Sequence, residues 1–378
     1  MRIAIVSREY PPYGGGIGSW SSKAGRGLAR LSHDVHLFTE DRAELPAEEV
    51  VSGVHVHRIR PAAMRPHSVA WAWAAAAAIG QHRRFDVVQA CEWDAEALFC
   101  ALRPTAPVVT RLATPHFLVQ AMNHSRLPQR LRSTFTARME RTQARRSRRL
   151  ISPTRALANV VAQTWGLDEE AIAIVPQAID PIRTTGAPIP NFLTEVPYIL
   201  YFGRLEVRKG VDVLIDALPD VLRTHPDVHC VFIGQDMQLD GAPFAEYARQ
   251  RCDFAFSRLH FMAPMAHSPL FNIVAGASLV VIPSRWENLA NTCLEAMALG
   301  RPIIATSGSG FDEALTNGVD GILVAPGDVQ ALAGAISSAL ADPEMLARMG
   351  LAAYRRSKDF TVERMAASLT TVYQHIDG

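Results

Sequence analysis

The chain has 378 residues, 48% of them apolar and 20% charged, and its 38 Lys and Arg against 37 Asp and Glu give a formal net charge of +1. That balance excludes general electrostatic capture of nucleic acid, and the length is more than one hydrophobic core serves well, so two domains are predicted. Five cysteines (Cys91, Cys100, Cys230, Cys252, Cys293) are scattered without a Cys-x-x-Cys pair, which argues against a disulfide framework or a zinc site and predicts a reducing, cytoplasmic setting.

The opening Met-Arg-Ile-Ala-Ile-Val reads as a buried strand at 2–7 and lacks the long apolar region and cleavage site of a signal peptide. A glycine-rich loop then enters a helix over 18–31. Short β-branched runs at 34–38, 54–59, 86–90, 107–111, 150–153 and 172–176 read as further strands, and their alternation with helical segments predicts parallel βαβ units. The alanine- and tryptophan-rich stretch 69–80 is shorter than the roughly 20 residues a bilayer span needs and is expected to be a packed helix. Prolines 181, 188, 190 and 197 with Gly186 break the pattern, the best candidate for a linker. Alternation resumes with strands at 198–203, 228–234, 259–262, 278–283, 302–306 and 321–324, and helices at 211–224, 244–251, 292–299 and 329–341. A final helical stripe covers 360–376. The expected fold is α/β: two facing Rossmann-like, doubly wound domains with a cleft between them and ligands at the carboxyl ends of the strands.

Several constellations fall at those strand ends. Gly14-Gly15-Gly16-Ile17-Gly18 lets backbone amides approach a phosphate or sugar, but it is not the Gly-x-Gly-x-x-Gly fingerprint, so a nicotinamide cofactor is disfavoured. Thr114-Pro115-His116 follows the strand at 107–111. Gly203-Arg204 and Lys209-Gly210 put a planar fork and a point charge where a diphosphate could lie. Glu287 and Glu295 flank a loop and the opening of a helix in Pro283-Ser-Arg-Trp-Glu-Asn-Leu-Ala-Asn-Thr-Cys-Leu-Glu. There, Asn291 is placed as the helix cap, beside amides that attract anions. Ser307-Gly-Ser-Gly310 is a second glycine turn. No Asp-x-Asp triplet signals a metal-held diphosphate, so no metal site and no cofactor are expected. Neutralisation would fall to Arg204, Lys209 and helix amides. From Arg126 to Arg149 nine arginines face a single acid, Glu140. This is a solvated helix face or, alternatively, a peripheral contact with an anionic membrane.

In this order the motifs resemble the retaining nucleotide-sugar glycosyltransferases of the GT-B fold, family 4. They are the Gly15-Gly16 loop, Thr114 to His116, Ser152-Pro153-Thr154, Gly203-Arg204 with Lys209-Gly210, Glu287 to Glu295, and the closing Phe360-Thr361 helix. The resemblance implies an acceptor-binding domain over 1–185, a nucleotide-sugar domain over 186–357, and a helix over 358–378 packing back on the first domain. It implies a nucleoside diphosphate sugar as donor, held by Gly15, Gly16, Arg204, Lys209, Glu287, Asn288, Leu289, Ala290, Asn291, Thr292 and Glu295, with Glu295 on the ribose and Glu287 on the sugar. It also implies catalysis by His116, Arg204, Lys209 and Glu287 without a metal, and an acceptor pocket of Glu92, Trp93, His116 and Asn123. Many members carry Gly-Phe-Gly where this chain has Asn288-Leu289-Ala290. The expected acceptor is a small molecule or natural-product intermediate, with a membrane lipid or polysaccharide as the alternative; the nucleotide base and the oligomeric state stay open. A nucleotide-sugar epimerase and a non-catalytic sugar-nucleotide binder are the rival readings.

Overall fold

The computed structural model describes residues 1–13, 15–42, 44–122, 127–186 and 189–376, except for the side chains of 121–122 and 127–133. The chain divides into two compact units, Met1–Ala178 with Thr361–Gly378, and Ile179–Phe360. The divisions lie near the expected 185/186 and 357/358 but not on them. Ala178 is buried in the first unit's core, whereas Ile179 packs in the second unit's core and donates its amide to Phe360 O at 2.8 Å.

In the first unit β1 (Arg2–Val6), α1 (Gly16–Arg30), β2 (Asp34–Glu40), β3 (Glu48–Val51), β4 (Val54–Ile59), α2 (His67–Gly80) and β5 (Val87–Cys91) come first. Then follow α3 (Leu98–Leu102), β6 (Val108–Arg111), α4 (His116–Met122), α5 (Leu127–Arg146), β7 (Arg149–Ser152), α6 (Arg155–Trp165) and β8 (Ile172–Ile174). The sheet order is β3-β4-β2-β1-β5-β6-β7-β8. Every pairing is parallel except β3 with β4, a hairpin closed by Ser52 and Gly53 at φ 52° and 83°, the geometry of a two-residue type I′ turn. That edge strand was not among those expected. β1 and β5 are buried on both faces, as a covered parallel sheet requires. The 69–80 stretch is the packed helix predicted, with Trp71 inside and Trp73 outside.

The second unit runs β9 (Tyr198–Phe202), α7 (Val211–Thr224), β10 (His229–Ile233), α8 (Phe244–Cys252), β11 (Leu259–Met262), α9 (His267–Gly276) and β12 (Leu279–Ile282). It continues with α10 (Asn291–Ala298), β13 (Ile303–Thr306), α11 (Phe311–Ala314), β14 (Ile322–Val324), α12 (Val329–Leu340) and α13 (Pro343–Ser357). Its sheet, in the order β11-β10-β9-β12-β13-β14, is parallel throughout, with one apolar core on each face. In both sheets the chain winds outward from the first strand and then returns to its other side. This sets switch points between β1 and β5 and between β9 and β12.

The last helix, α14 (Val362–Gln374), is capped by the Thr361 side chain on Arg364 N and packs on α1 in the first unit. The two helices meet at Gly27, where a Cβ would lie 2.9 Å from both Ala366 Cβ and Val362 Cγ1. Gly27→Ala is therefore expected to lower stability by about 1–3 kcal/mol through overpacking, measured as an earlier urea midpoint.

Candidate functional site

In the second unit, β9 ends at Gly203-Arg204, and a short turn (Val207–Lys209) leads through Gly210 into α7. β12 ends at Pro283, and the chain runs through Glu287 to α10. Gly210 sits at φ 68°, and a Cβ there would fall 1.9 Å from Pro283 O, so only glycine lets the two loops touch. Arg285 binds them further. Its amide donates to Arg208 O at 3.0 Å, and its guanidinium grips both oxygens of Asp212 at 2.8 and 2.7 Å.

This frame brings Lys209 and Glu287, distant in sequence, into direct contact. Glu287 is 8% exposed, and its Oε1 also accepts from Ser284 Oγ at 3.2 Å and lies 3.6 Å from Arg208 Nη1. Burial alone would raise the Glu287 carboxyl, but Lys209, Arg208 and Ser284 outweigh it and hold it below its ordinary value. It is ionised at neutral pH. Arg204 is about half exposed, with Nη2 3.4 Å from Glu206 Oε1, and the same oxygen takes Arg208 Nη2 at 2.7 Å. Three cations face two carboxylates, leaving a net positive charge at the switch point. Arg208, Glu206 and Ser284 were not singled out from sequence. The Arg-x-Glu-x-Arg-Lys run at 204–209 after a strand was the available signal.

The glycine turn joins the same frame, since Gly310 N donates to Glu287 O at 3.0 Å. Asn288, Leu289 and Ala290 are buried, while Asn291, Thr292 and Glu295 on α10 are half-buried. Asn291 is not the cap. Ala290 holds the extended cap dihedrals (φ −71°, ψ 129°) with no side-chain cap bond, and Asn291 is already the first helical residue.

In the first unit, Gly15 and Gly16 are exposed where α1 begins. Glu9 Oε2 accepts the Gly15 amide at 2.7 Å, and a Cβ on Gly18 would lie 3.0 Å from the Glu9 backbone. The glycines therefore fold against Glu9, another residue that sequence reasoning missed. Past β5, the Trp93 ring stacks on His116 with centroids 3.8 Å apart. Glu92 has a different place from the one expected. It is fully buried, and both its carboxylate oxygens accept the Ala113 amide, at 2.8 and 2.7 Å. It braces the loop before His116 and lines no surface. Asn123 lies outside the described residues.

The residue that organises this second cluster is Glu140, fully buried on α5. One carboxylate accepts the Asp94 amide (3.1 Å), the His116 amide (3.0 Å) and His116 Nδ1 (2.5 Å). Asp94, at φ 58°, occupies left-handed backbone uncommon outside glycine, and Arg8 pairs with its side chain at 2.9 Å. Burial acts to lower His116, but Glu140, Asp94 and Glu92 outweigh it and raise the imidazole above its ordinary value. The buried face of α5 carries Thr136, Met139, Glu140, Gln143 and Ala144, and Gln143 bonds Cys91 O and the Ala97 amide. Four arginines of this basic stretch are used on helix ends, where carbonyls lack intrahelical partners. Arg141 and Arg145 reach Trp165 O and Gly166 O, and Arg148 and Arg149 reach Ile376 O and His375 O. Arg126 lies outside the described residues. No helix among the described residues is long and apolar enough to cross a membrane.

Two α/β units, each built on a doubly wound sheet with charged loops at its switch point, define the architecture, and comparison with known proteins places it in a family. Residues 14–183 match the model of Glycosyltransferase Family 4, and residues 196–342 that of Glycosyl transferases group 1. The chain is 30% identical over 403 residues to a glycogen synthase of Mycobacterium tuberculosis, covering 99% of this chain and 94% of that protein. Among solved structures it is similar to sucrose-phosphate synthase from Thermosynechococcus elongatus (TM-score 0.81, 20% identity, 99% and 98% of the two chains). It is also similar to Anabaena HepE in complex with UDP-glucose (TM-score 0.75, 20% identity, 99% and 100%). The chain belongs to the group 1, family 4 glycosyltransferases, with the GT-B architecture, and is a glycosyltransferase.

The Glu140 bond has a direct consequence. In Glu140→Gln the His116 imidazole should titrate at lower pH than in the parent chain, read by NMR. In the parent, the stability that the charged pair contributes should be present below the ordinary histidine value for as long as Glu140, whose carboxyl burial raises, stays ionised. It should fade as pH rises through the raised one. Equal titration in both chains would contradict this account of the cluster.

Proposed function

We propose that the protein transfers a sugar from a nucleoside diphosphate sugar to an acceptor hydroxyl or other nucleophile with retention of anomeric configuration and without a catalytic metal. The observation that carries this reading is the cationic turn of Arg204, Arg208 and Lys209 set against the buried, ionised Glu287 at the β9–β12 switch point. As the bond from the anomeric carbon to the diphosphate oxygen breaks, negative charge grows on the leaving group, and fixed cations lower the barrier there. The acceptor oxygen forms its bond to the same face of the carbon. Its proton passes to the leaving diphosphate, so no enzyme nucleophile is required. Glu295 would hold the ribose hydroxyls, and Glu287 with the Asn288–Asn291 loop the sugar. Gly15 and Gly16 would present amides to phosphate. His116, stacked on Trp93 and oriented by Glu140, would serve the acceptor, and Glu92 would position it. A uridine nucleotide is the first donor to try, because HepE was solved with UDP-glucose.

A small acceptor, such as a natural-product intermediate met in the cytoplasm, is favoured over a membrane lipid by the arginines at the end of α5 and just after it. Four of the basic residues at 141–149 bond helix carboxyl ends, a structural use that accounts for much of the basic run. Arg204→Ala and Glu295→Ala are each expected to lower kcat/KM for the donor by about 10²-fold or more with unchanged thermal melting. Product NMR should show the donor's anomeric configuration, and Mg²⁺ or Mn²⁺ added to chelator-treated enzyme should not stimulate turnover. Parental turnover in both variants would overturn the site. An epimerised donor formed without acceptor would overturn the reaction. Vesicles rich in anionic lipid should leave the protein in the supernatant at physiological salt. Pelleting at low salt that reverses at high salt would move the acceptor to a membrane.

A further inference from the structure

Away from these loops, the first unit gathers histidines from three separate segments. In the register of β2 with β4, His36 lies opposite His55 and Phe38 opposite His57, so the period-2 alternation of strands puts all four on one face. That face is covered by α2, and His82 follows the end of α2. The result is a nest in which His36 Nδ1 lies 2.9 Å from His57 Nε2, and the His82 ring centroid stands 4.7 Å from that of His57 and 5.6 Å from that of His36. One ring nitrogen from each of His36, His57 and His82 falls within 4.8 Å of the others.

The far sides of two rings carry carboxylates. Glu48 Oε1 is 3.2 Å from His57 Nδ1, and Asp34 Oδ1 is 3.2 Å from His36 Nε2. A carboxylate on the outer nitrogen fixes the proton there and turns the inner lone pair toward the centre, the usual support of a metal-bound histidine. Two inner lone pairs facing each other at 2.9 Å repel unless a proton or a cation lies between them. Arg2 competes for the His36 outer nitrogen, with Nη2 3.2 Å away, but it also bonds Asp34 through Nε at 3.0 Å and so fixes that carboxylate. Phe38 and Phe85 wall the nest, and His55 stacks on His36 with centroids 4.9 Å apart.

We propose that His36, His57 and His82 bind one divalent transition-metal ion of the zinc type, which ties β2 and β4 to the segment after α2. Metal–nitrogen bonds of about 2.0–2.1 Å at tetrahedral angles set ligand nitrogens about 3.3 Å apart. The His36–His57 pair is already near that spacing, and His82 closes the remainder by rotating its half-buried ring. An all-imidazole set selects zinc, copper, nickel or cobalt over magnesium or calcium, and water would complete the tetrahedron. The nest lies toward the amino end of β2, whereas the glycosyltransferase loops follow the carboxyl ends of the strands.

The test uses the full-length chain stripped with chelator. Titration with ZnCl₂ by calorimetry should show one ion per chain, and binding should raise the melting temperature by about 3 °C or more. MgCl₂ should do neither, and Co²⁺ should give the visible absorption of a tetrahedral site. His57→Ala and His82→Ala should each weaken zinc binding at least about tenfold, while His82→Cys, which keeps a ligand, should retain it. Both alanine positions are half-buried, so folding is checked by the metal-free melt. No uptake of zinc at micromolar concentration, or equal uptake by the parent and both alanine variants, would overturn the proposal.

Discussion

The second unit's site rests on backbones brought as close as two backbones can come. Gly210 faces Pro283 O where a Cβ would need to stand 1.9 Å away, and Gly234 faces Gly203 O at 1.8 Å by the same measure. Both glycines have positive φ, 68° and 155°. The loops leaving β10, β9 and β12 are thus drawn together by main chain, before any side chain is considered. Given that contact, Lys209 must meet Glu287 and Arg208 must share its charge between Glu206 and Glu287. The bidentate Arg285–Asp212 pair then locks the Pro283 loop to the first turn of α7. The cationic turn is held by close backbone packing and the Arg285–Asp212 pair, so its charges do not need to be ordered by the ligand they would meet.

The first unit reaches a comparable result by other means. Its loops after β5 and β6 are held by two buried carboxylates that accept backbone amides, Glu92 from Ala113 and Glu140 from Asp94 and His116. A buried carboxylate is costly unless its lone pairs are used, and Glu140 uses them on three donors. The arrangement fixes which His116 nitrogen faces inward, and it leaves the other edge of the ring beside Asp94, 3.7 Å away. Burial, with Glu140 nearby, pushes the Glu92 carboxyl up to about 7, against the Cys91 and Ala113 contacts that lower it.

Much of the fold could be read from periodicity because parallel strands buried on both faces leave uninterrupted apolar runs. The strand over 259–262 and the helix over 211–224 end where the sequence placed them. β3 could not be read that way. It is exposed and edge-placed, and its only signal is the Ser52-Gly53 turn. Arg204, Lys209 and Glu287 were legible because they fall just past predicted strands, at the carboxyl ends where ligands are expected, whereas Arg208 and Glu206 were passed over. Glu140 was not, since a single acid in an arginine-rich helix looks like a surface counter-charge until its buried face is known. Glu92 was misplaced for the related reason that sequence does not say which way a loop carboxylate turns. The histidine nest was hidden because its members come from three segments whose meeting depends on the β2–β4 register.

The loop between Glu287 and α10 shows how this chain departs from the Gly-Phe-Gly pattern without disturbing the site. Ala290 has ordinary extended dihedrals, so the position makes no demand that only glycine could meet. Leu289 and Ala290 are each 6% exposed and pack in the core with Leu294 and Met297. Leu289 and Ala290 therefore anchor the entry to α10 in the core. What the departure changes is polarity. Asn288 is buried next to Glu287 in sequence, and Asn291 opens the helix half-buried. The Asn288 side chain offers a donor and an acceptor where a glycine side chain offers neither. Discrimination between sugars that differ in one hydroxyl depends on such groups, because a buried polar partner left unpaired is expensive. In the proposed reaction, Asn288 would be the side chain placed to discriminate between donor sugars, on a backbone that Leu289 and Ala290 anchor in the core.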